Sequence, residues 1–537
     1  MNGAEALVKC LEQEKVKSVF GYPGVAICPF YDALYSSEIE TVLVRTEQNA
    51  AHMASGMARV TGRSAVCAVT SGPGATNLIT GIATAFADSI PMICITGQVS
   101  SELIGSDVFQ EADITGAVES FVKYSYLVKD PNEIPRIVKE AFYIANSGRP
   151  GPVLIDFPMD VQKAEIRKFE YPDEVKLRTY KPTVKGNALQ IKKVINEFEK
   201  AKKPLICAGG GIHLGDAAAK LKELVEEYQI PVVSTMMGIG VLPTEHHLYY
   251  GMVGNNGSPA ANRAMREADM IVMIGARVAD RAVNQTEVLT ENTVLVHIDV
   301  DPAEIGKNAG ATIPIVGDAG HILADMAEYE IDGDYAAWIK ELDGYKKDLK
   351  VIRPDHPGYV DPAAFVRMLS QKMEDDAVYV ADVGQNQIWS CRNHIVRNGR
   401  FLTSGGMGTM GYSIPAAIGA KYASSGRQVV AVCGDGSFQM SMMELATMKQ
   451  YGIKVKIVVM RNSYLGMVRQ YQHFSLKDRY AMVELNKEPD LEHIAKAYDM
   501  KYMLIADMED AEKQIEGFLA DEDSCLCECL IDPMDLV

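Results

Sequence analysis

At 537 residues the chain is too long for one hydrophobic core and should divide into about three domains. Its 47% apolar and 23% charged residues are those of an ordinary soluble globular protein. A net charge of −18 speaks against binding nucleic acid or an anionic membrane through bulk charge.

In chain order, strand-like apolar runs fall at residues 41–44, 64–70, 92–96, 153–157, 204–208, 270–274, 294–298, 377–381, 429–433, 455–460 and 525–530. Helical patterns lie between them, for example at 50–60, 216–228 and 437–450. Runs this apolar are strands buried on both faces, so parallel, helix-covered sheets are expected. The fold class is α/β, with three doubly wound parallel-sheet domains. Charged, proline-containing stretches at 164–188 and 328–360, the second closed by Pro354 and Pro357, set the expected domains at 1–165, 189–345 and 355–537. Cys67, Cys94, Cys207 and Cys433 sit inside apolar runs, the usage of a reducing compartment. Cys525, Cys527 and Cys529 share one face of a strand with no second Cys or His cluster nearby, which argues against a metal site. Met1 leads almost directly into a helix without a signal-peptide pattern, and no run reaches the roughly 18 residues of a membrane span. A cytoplasmic protein is expected.

Two marks carry chemistry. Gly434-Asp435-Gly436 ends one apolar strand, and Asn462 ends the next. A right-handed crossover puts both at the carboxyl ends of parallel strands, facing one crevice. Mg²⁺ takes a carboxylate, an amide carbonyl and phosphate oxygens, and glycines let backbone approach a phosphate. Gly-Asp-Gly alone is also a common turn; the spacing to Asn462 is what makes it specific. Asp382-Val383-Gly384-Gln385-Asn386 ends a further strand and could face the same phosphates. The second mark is Glu47, between a short strand and an Ala-rich helix. Taken alone it reads as a complement to the helix dipole.

Its company is more specific: Phe20-Gly21-Tyr22-Pro23-Gly24, Thr70 to Asn77, Leu103 to Glu111, Gly148 to Asp156, His297 to Asn308, Thr403 to Gly411 and Tyr464 to Gln470. Over nearly the whole chain this set resembles the thiamine diphosphate enzymes, and within them the acetolactate (acetohydroxyacid) synthase catalytic subunits. The resemblance implies decarboxylation of pyruvate on thiamine diphosphate and transfer of the two-carbon unit to a second 2-keto acid, giving 2-acetolactate and CO₂. Glu47 would relay protons to the cofactor's aminopyrimidine. Gly408 and Met410 would hold the pyrimidine, with Gly24, Pro73, Asn77, Gly384, Gln385, Gly434, Gly436, Ser437 and Met467 completing the cofactor site. Asp435, Asn462 and Tyr464 would hold Mg²⁺. Gln110 and Lys123 would line the reaction site, and Arg281 would grip the acceptor's carboxylate, a task suited to guanidinium. The bland reading of Arg281 is a surface salt bridge. The first domain of one subunit would meet the third of another, which requires a homodimer or homotetramer. A small regulatory subunit is a further partner in this family, unmarked in the sequence.

The middle region carries glycine-rich strand ends of the kind that bind dinucleotides. By resemblance they form a structural FAD site of Arg149, Gly209, Gly210, Gly211, Thr235, Met236, Gly254, Gly275, Arg277, Asp299 and Asp318; a vestigial fold without flavin is the other reading. The chain departs from the family near the acceptor. The usual Pro-Gly-Gly-Ala is Pro23-Gly24-Val25-Ala26, Gly-Met-His-Gly is Gly254-Asn255-Asn256-Gly257, and Arg-Gln-Trp-Gln is Arg469-Gln470-Tyr471-Gln472. Val25, Phe109, Asn255 and Tyr471 are the expected substrate pocket. The family's tryptophan favours 2-ketobutyrate, and one methylene is worth only about 1–3 kcal/mol, so Tyr471 puts that preference in doubt. Seven residues follow the 525–530 strand, so the family's C-terminal lid is expected to be reduced or missing. Another thiamine diphosphate-dependent decarboxylase or carboligase is the rival enzyme, and a non-catalytic flavin-binding protein the rival outside enzymes.

Overall fold

A computed structural model of the chain describes residues 1–283, 289, 293–347, 358–485, 487 and 489–537. Pro354, Pro357 and the expected domain start at 355 lie outside the described residues. Among the described residues stand three six-stranded sheets in which every neighbouring pair is parallel.

The first sheet contains β1 (Ser18–Tyr22), β2 (Glu40–Leu43), β3 (Ala65–Val69), β4 (Met92–Gln98), β5 (Tyr124–Leu127) and β6 (Pro152–Pro158), in the order β2-β1-β3-β4-β6-β5. The second contains β7 (Pro204–Ala208), β8 (Val232–Ser234), β9 (Tyr249–Met252), β10 (Met270–Ile274), β11 (Val294–Asp299) and β12 (Ile313–Val316), in the order β12-β11-β10-β7-β8-β9. The third contains β13 (Val378–Ala381), β14 (Arg400–Thr403), β15 (Val429–Gly434), β16 (Lys456–Arg461), β17 (Lys501–Ile505) and β18 (Cys525–Leu530), in the order β14-β13-β15-β16-β18-β17. The first and third sheets therefore share one topology. The second is the doubly wound dinucleotide order.

Each sheet has one switch point, where the chain reverses its direction of spread and leaves a crevice beyond the strand ends. These fall between β1 and β3, between β7 and β10, and between β13 and β15. The segments at Gly21–Gly24, Thr70–Asn77, Gly209–Gly211, Gly275, Asp382–Asn386 and Gly434–Gly436 leave the strands that border these three places, while Gly254 and Asp318 follow the edge strands of the second sheet.

The strands are buried on both faces, as their composition requires. Cys67, Val69 and Cys94 pack into one cluster, while Val66, Ala68, Ile93 and Ile95 pack into another. The first cluster continues into the third sheet through Val380, Cys433, Ile457 and Val459. Cys525, Cys527 and Cys529 share the opposite face of that sheet, buried among apolar side chains.

The bridge between the first and third sheets is a helix crossing, Glu47–Thr61 against Ser413–Ala423. Two glycines make it close. A Cβ on Gly56 would stand 1.9 Å from Ala416 O, and one on Gly419 would stand 1.9 Å from Met53 O. Gly56→Ala should therefore lower stability by about 1–3 kcal/mol, the usual cost of overpacking, measured as an earlier unfolding midpoint in denaturant.

One expected element is broken. Residues 437–450, which read as a single helix, form the helix Asp435–Ser441, a 3₁₀ turn Met442–Glu444 and the helix Leu445–Tyr451. The cause is tertiary. The turn delivers the fully buried Glu444 to the entry of the Glu47–Thr61 helix, where its Oε1 accepts from Arg45 N at 2.9 Å, Thr46 N at 3.2 Å and Asn49 Nδ2 at 2.9 Å. A continuous helix would point that side chain elsewhere.

Candidate active site

The third switch point holds the first part of the site. Gly384, at φ +134, starts the helix Gln385–Asn393 in a conformation that glycine alone takes without strain. Opposite it, Asp435 opens the next helix at the end of β15. Its carboxylate accepts from Gly436 N at 2.9 Å, Asn462 N at 2.9 Å and Ser463 N at 2.6 Å. The side chain of Asn462 turns back on its own loop, with Oδ1 accepting from Tyr464 N at 2.9 Å. Ser463, between them, has φ +60, a strained value of the sort that gathers at functional loops. Ser437 Oγ accepts from Gly434 N at 3.1 Å and closes the turn. A cavity of about 80 Å³ opens here, lined by Gly384, Gln385, Met410, Gly434, Asp435, Gly436, Ser437, Asn462, Tyr464 and Met467. The donor set is a carboxylate, an amide oxygen and backbone, all hard oxygen ligands, and the N-termini of the helices Gln385–Asn393 and Asp435–Ser441 flank it. A diphosphate with a magnesium ion fits this cradle.

The second switch point opens into a cavity of about 550 Å³, within the range of pockets that hold cofactors. Gly210, Gly211, Thr235, Met236, Asn255, Gly275, Arg277, Arg281, Asp299 and Asp318 wall it from the second sheet, and Arg149 reaches in from the first. Gly209 and Gly254 stand behind the wall. A Cβ on Gly209 would meet Gly275 O at 2.1 Å, and one on Gly254, at φ +111, would meet Arg281 O at 1.9 Å. Arg149 Nη1 pairs with Glu304 at 3.0 Å and Asp301 at 3.3 Å. Burial raises the Asp299 carboxyl to about 6. The cavity shares Val383, Gly384, Met410, Met467 and Val468 with the wall of the cradle. The two chambers therefore adjoin.

The first switch point gathers a separate set. Glu47 is the first residue of its helix, not a loop residue before it, and its Oε2 accepts from Asn77 Nδ2 at 3.1 Å. Gly24, Gly72 and Gly74 crowd Thr70 and Gln110; a Cβ on Gly74 would stand 2.7 Å from Thr70 Cγ2 and 3.5 Å from Glu47 Oε1. Pro73 opens the helix Pro73–Ala87. Gln110 holds φ +60. Among the described residues, Thr70 Oγ1 and Ser71 Oγ are buried there without a hydrogen-bond partner. Val25 and Phe109 stand out from this surface, 76% and 87% exposed. Glu47 lines neither cavity. Within one chain, the glutamate and the cradle are not brought together.

Two expected site residues stand apart from both chambers. Lys123 lines neither of them. Its ammonium donates to the carbonyls of Ile144 and Ser147, at the end of the helix Ile134–Asn146, and to Tyr180 Oη at 2.8 Å. Burial there pushes it down to about 8. A lysine at a helix C-terminus satisfies orphan carbonyls, which its place in the sequence did not reveal. Tyr471 lines neither chamber and is 63% exposed on the helix Gly466–Leu476, whose Met467 and Val468 face the cavities.

Two acids hold the site's loops in a way the sequence does not reveal. The segment that begins at Asp382 is expected to face the phosphates, but the Asp382 side chain is spent on a neighbouring loop. Its buried carboxylate accepts from Gly411 N at 3.0 Å and Ser413 N at 2.8 Å, tying down the loop with Gly408 and Met410. Asp88 accepts from Gly406 N at 2.7 Å at the other end of that loop. Asp88 caps the C-terminus of Pro73–Ala87, the wrong end of a helix for an acid, and that misfit is the available signal.

Comparison with known proteins agrees with this layout. Residues 1–117 match the family model described as thiamine pyrophosphate enzyme, N-terminal TPP binding domain; 191–326 match its central domain; 382–529 match its C-terminal TPP binding domain. The class is thus that of the thiamine pyrophosphate enzymes. A "Probable acetolactate synthase large subunit" of Methanocaldococcus jannaschii is 43% identical over 548 residues, covering 100% of this chain and 93% of that protein. The "Acetolactate synthase large subunit" of Lactococcus lactis is 40% identical, covering 99% and 92%. "Acetolactate synthase isozyme 3 large subunit" of Escherichia coli is 41% identical, covering 93% and 88%. The chain belongs to the acetolactate synthase large-subunit family. No helix among the described residues is long and apolar enough to cross a membrane.

Proposed function

We propose that the chain is the catalytic subunit of an acetolactate-forming transferase of branched-chain amino acid biosynthesis. It decarboxylates pyruvate and passes the two-carbon unit to a second 2-keto acid, giving 2-acetolactate and CO₂. Identity of 40–44% along almost the whole chain to acetolactate synthases supports this reading. The observation that carries it is the occupation of the first and third switch points by complementary halves of one cofactor site.

Thiamine diphosphate supplies the electron sink for loss of CO₂. The chain's residues do the rest. Asp435, Asn462 and Tyr464 would hold Mg²⁺ and so help to fix the diphosphate end of the cofactor. Gly408 and Met410 bear on the pyrimidine, and Glu47 holds and moves a proton at its ring nitrogen. Arg281, exposed at the mouth of the larger cavity, orients the acceptor's carboxylate. That cavity would take FAD as a structural group, which Gly210, Gly211 and Arg149 of its wall would help to hold. The active form is a homodimer or a multiple of one, in which Glu47 of one protomer faces the cradle of its partner. The exposed Val25 and Phe109 on one surface and Tyr471 and Phe474 on the other support such a pairing. The "large subunit" names of the relatives support a small regulatory partner.

Incubation with pyruvate alone should yield acetolactate, and adding 2-ketobutyrate should show which acceptor is preferred. The purified protein should carry a flavin absorption band. Acetaldehyde without acetolactate would overturn the synthase reading in favour of a simple decarboxylase.

A further inference from the structure

The helix that begins at Glu47 lacks an ordinary cap. Thr46 occupies the N-cap position, and its side chain makes no capping hydrogen bond. Short polar side chains normally satisfy these orphan amides locally. Here the acceptor comes from almost four hundred residues away. Glu444 Oε1 takes Arg45 N, Thr46 N and Asn49 Nδ2, while Oε2 takes the Thr447 hydroxyl at 2.7 Å.

Glu444 is fully buried, and burial pushes its carboxyl up. Against that, four donors converge on it, which suits an ionised carboxylate that only accepts. A buried acid at this place disrupts the helix that carries it. It also closes the turn immediately before Glu47 from both sides, backbone at 45 and 46 and side chain at 49. The side chain of Glu47 has one further hold, Asn77 Nδ2. The segment delivering Glu444 starts at Asp435 and runs without interruption through the helix Asp435–Ser441 and the turn Met442–Glu444.

We propose that Glu444 is a positioning residue for Glu47, setting the direction from which the Glu47 carboxylate meets the cofactor. This rests on the reading of Glu47 as the proton relay. Glu444 touches neither substrate nor cofactor. It acts by fixing the backbone entry of the relay helix, and it ties that entry to the element that begins with the metal-binding aspartate.

The test is Glu444→Gln in the full-length protein, with Glu444→Asp alongside it. The amide that Glu444→Gln introduces can accept on one oxygen but presents a donor where Thr447 now donates, and it lacks the charge. Three readouts are taken: kcat and KM for pyruvate, the rate at which the bound cofactor's C2 proton exchanges with D₂O, and amide exchange at residues 45–49 in protein free of cofactor. We expect faster amide exchange at 45 and 46, a kcat and a C2 exchange rate each lowered about tenfold or more, and an unchanged KM. A purely structural role would leave C2 exchange and kcat intact, and that result would overturn the proposal. Should Glu444→Gln fail to fold, Thr447→Val, which removes one hydrogen bond from the carboxylate, should shift the same readouts in the same direction by less; no shift would equally overturn it. Glu47→Gln separates the two readings. If it leaves C2 exchange untouched, the relay itself falls. If it slows exchange while Glu444→Gln does not, only the positioning role falls.

Discussion

Glu47→Gln should fold as the parent does and lose turnover by about 10²–10⁴-fold, the range for removing a positioned acid–base group. The glutamine is the same size, and its carbonyl can still accept from Asn77 Nδ2, so the loop keeps its contacts. The amide neither takes up nor releases a proton, and only that capacity is removed. Affinity for thiamine diphosphate should change little, because the diphosphate end is held on another surface. Steady-state kinetics with pyruvate and titration calorimetry with the cofactor check the two halves. Unchanged turnover of every 2-keto acid tested would sink the relay.

Asp435→Asn should do the opposite. Its amide nitrogen would meet Asn462 N and Ser463 N, or the metal, with a donor where an acceptor is required. The loss of a charge-assisted interaction of about 1.5–3 kcal/mol weakens cofactor binding by about 10–100-fold, before counting the lost charge on Mg²⁺. Activity should return in part at high cofactor and magnesium, which Glu47→Gln would not allow. Mixing the two inactive variants after dissociation gives a sharper result. A hybrid dimer has one site with both lesions and one with neither, so random pairing restores about a quarter of the parent's activity in a twofold assembly. No recovery on mixing would mean that glutamate and cradle meet inside one chain.

What the sequence made legible follows from burial. Central strands such as β3, β7, β10 and β15 are apolar runs because helices cover both faces. β17 and β5 at sheet edges carry mixed, half-exposed residues, and β8 has three residues, so none leaves a pattern to read. The cradle was legible because a crossover of known hand fixes where Asp435 and Asn462 must point. Lys123 and the break at Glu444 were not. Each is decided by a partner distant in sequence, a helix end for one and the Glu47 helix for the other. Tyr471 fell outside both chambers because it stands on the exposed side of the helix Gly466–Leu476, away from Met467 and Val468.

The glycine crossing between the first and third sheets has a consequence for how this chain can change over generations. Gly56 sits under Ala416 O, and Gly419 sits under Met53 O. The contact is reciprocal: each glycine makes room for the backbone of the helix that carries the other. A side chain at either position must push the opposite helix away, and that movement opens a void beside the remaining glycine. A single substitution there costs stability, and a second one does not repair the first. The two positions are locked to one another, so the distance between the two helices depends on both glycines at once.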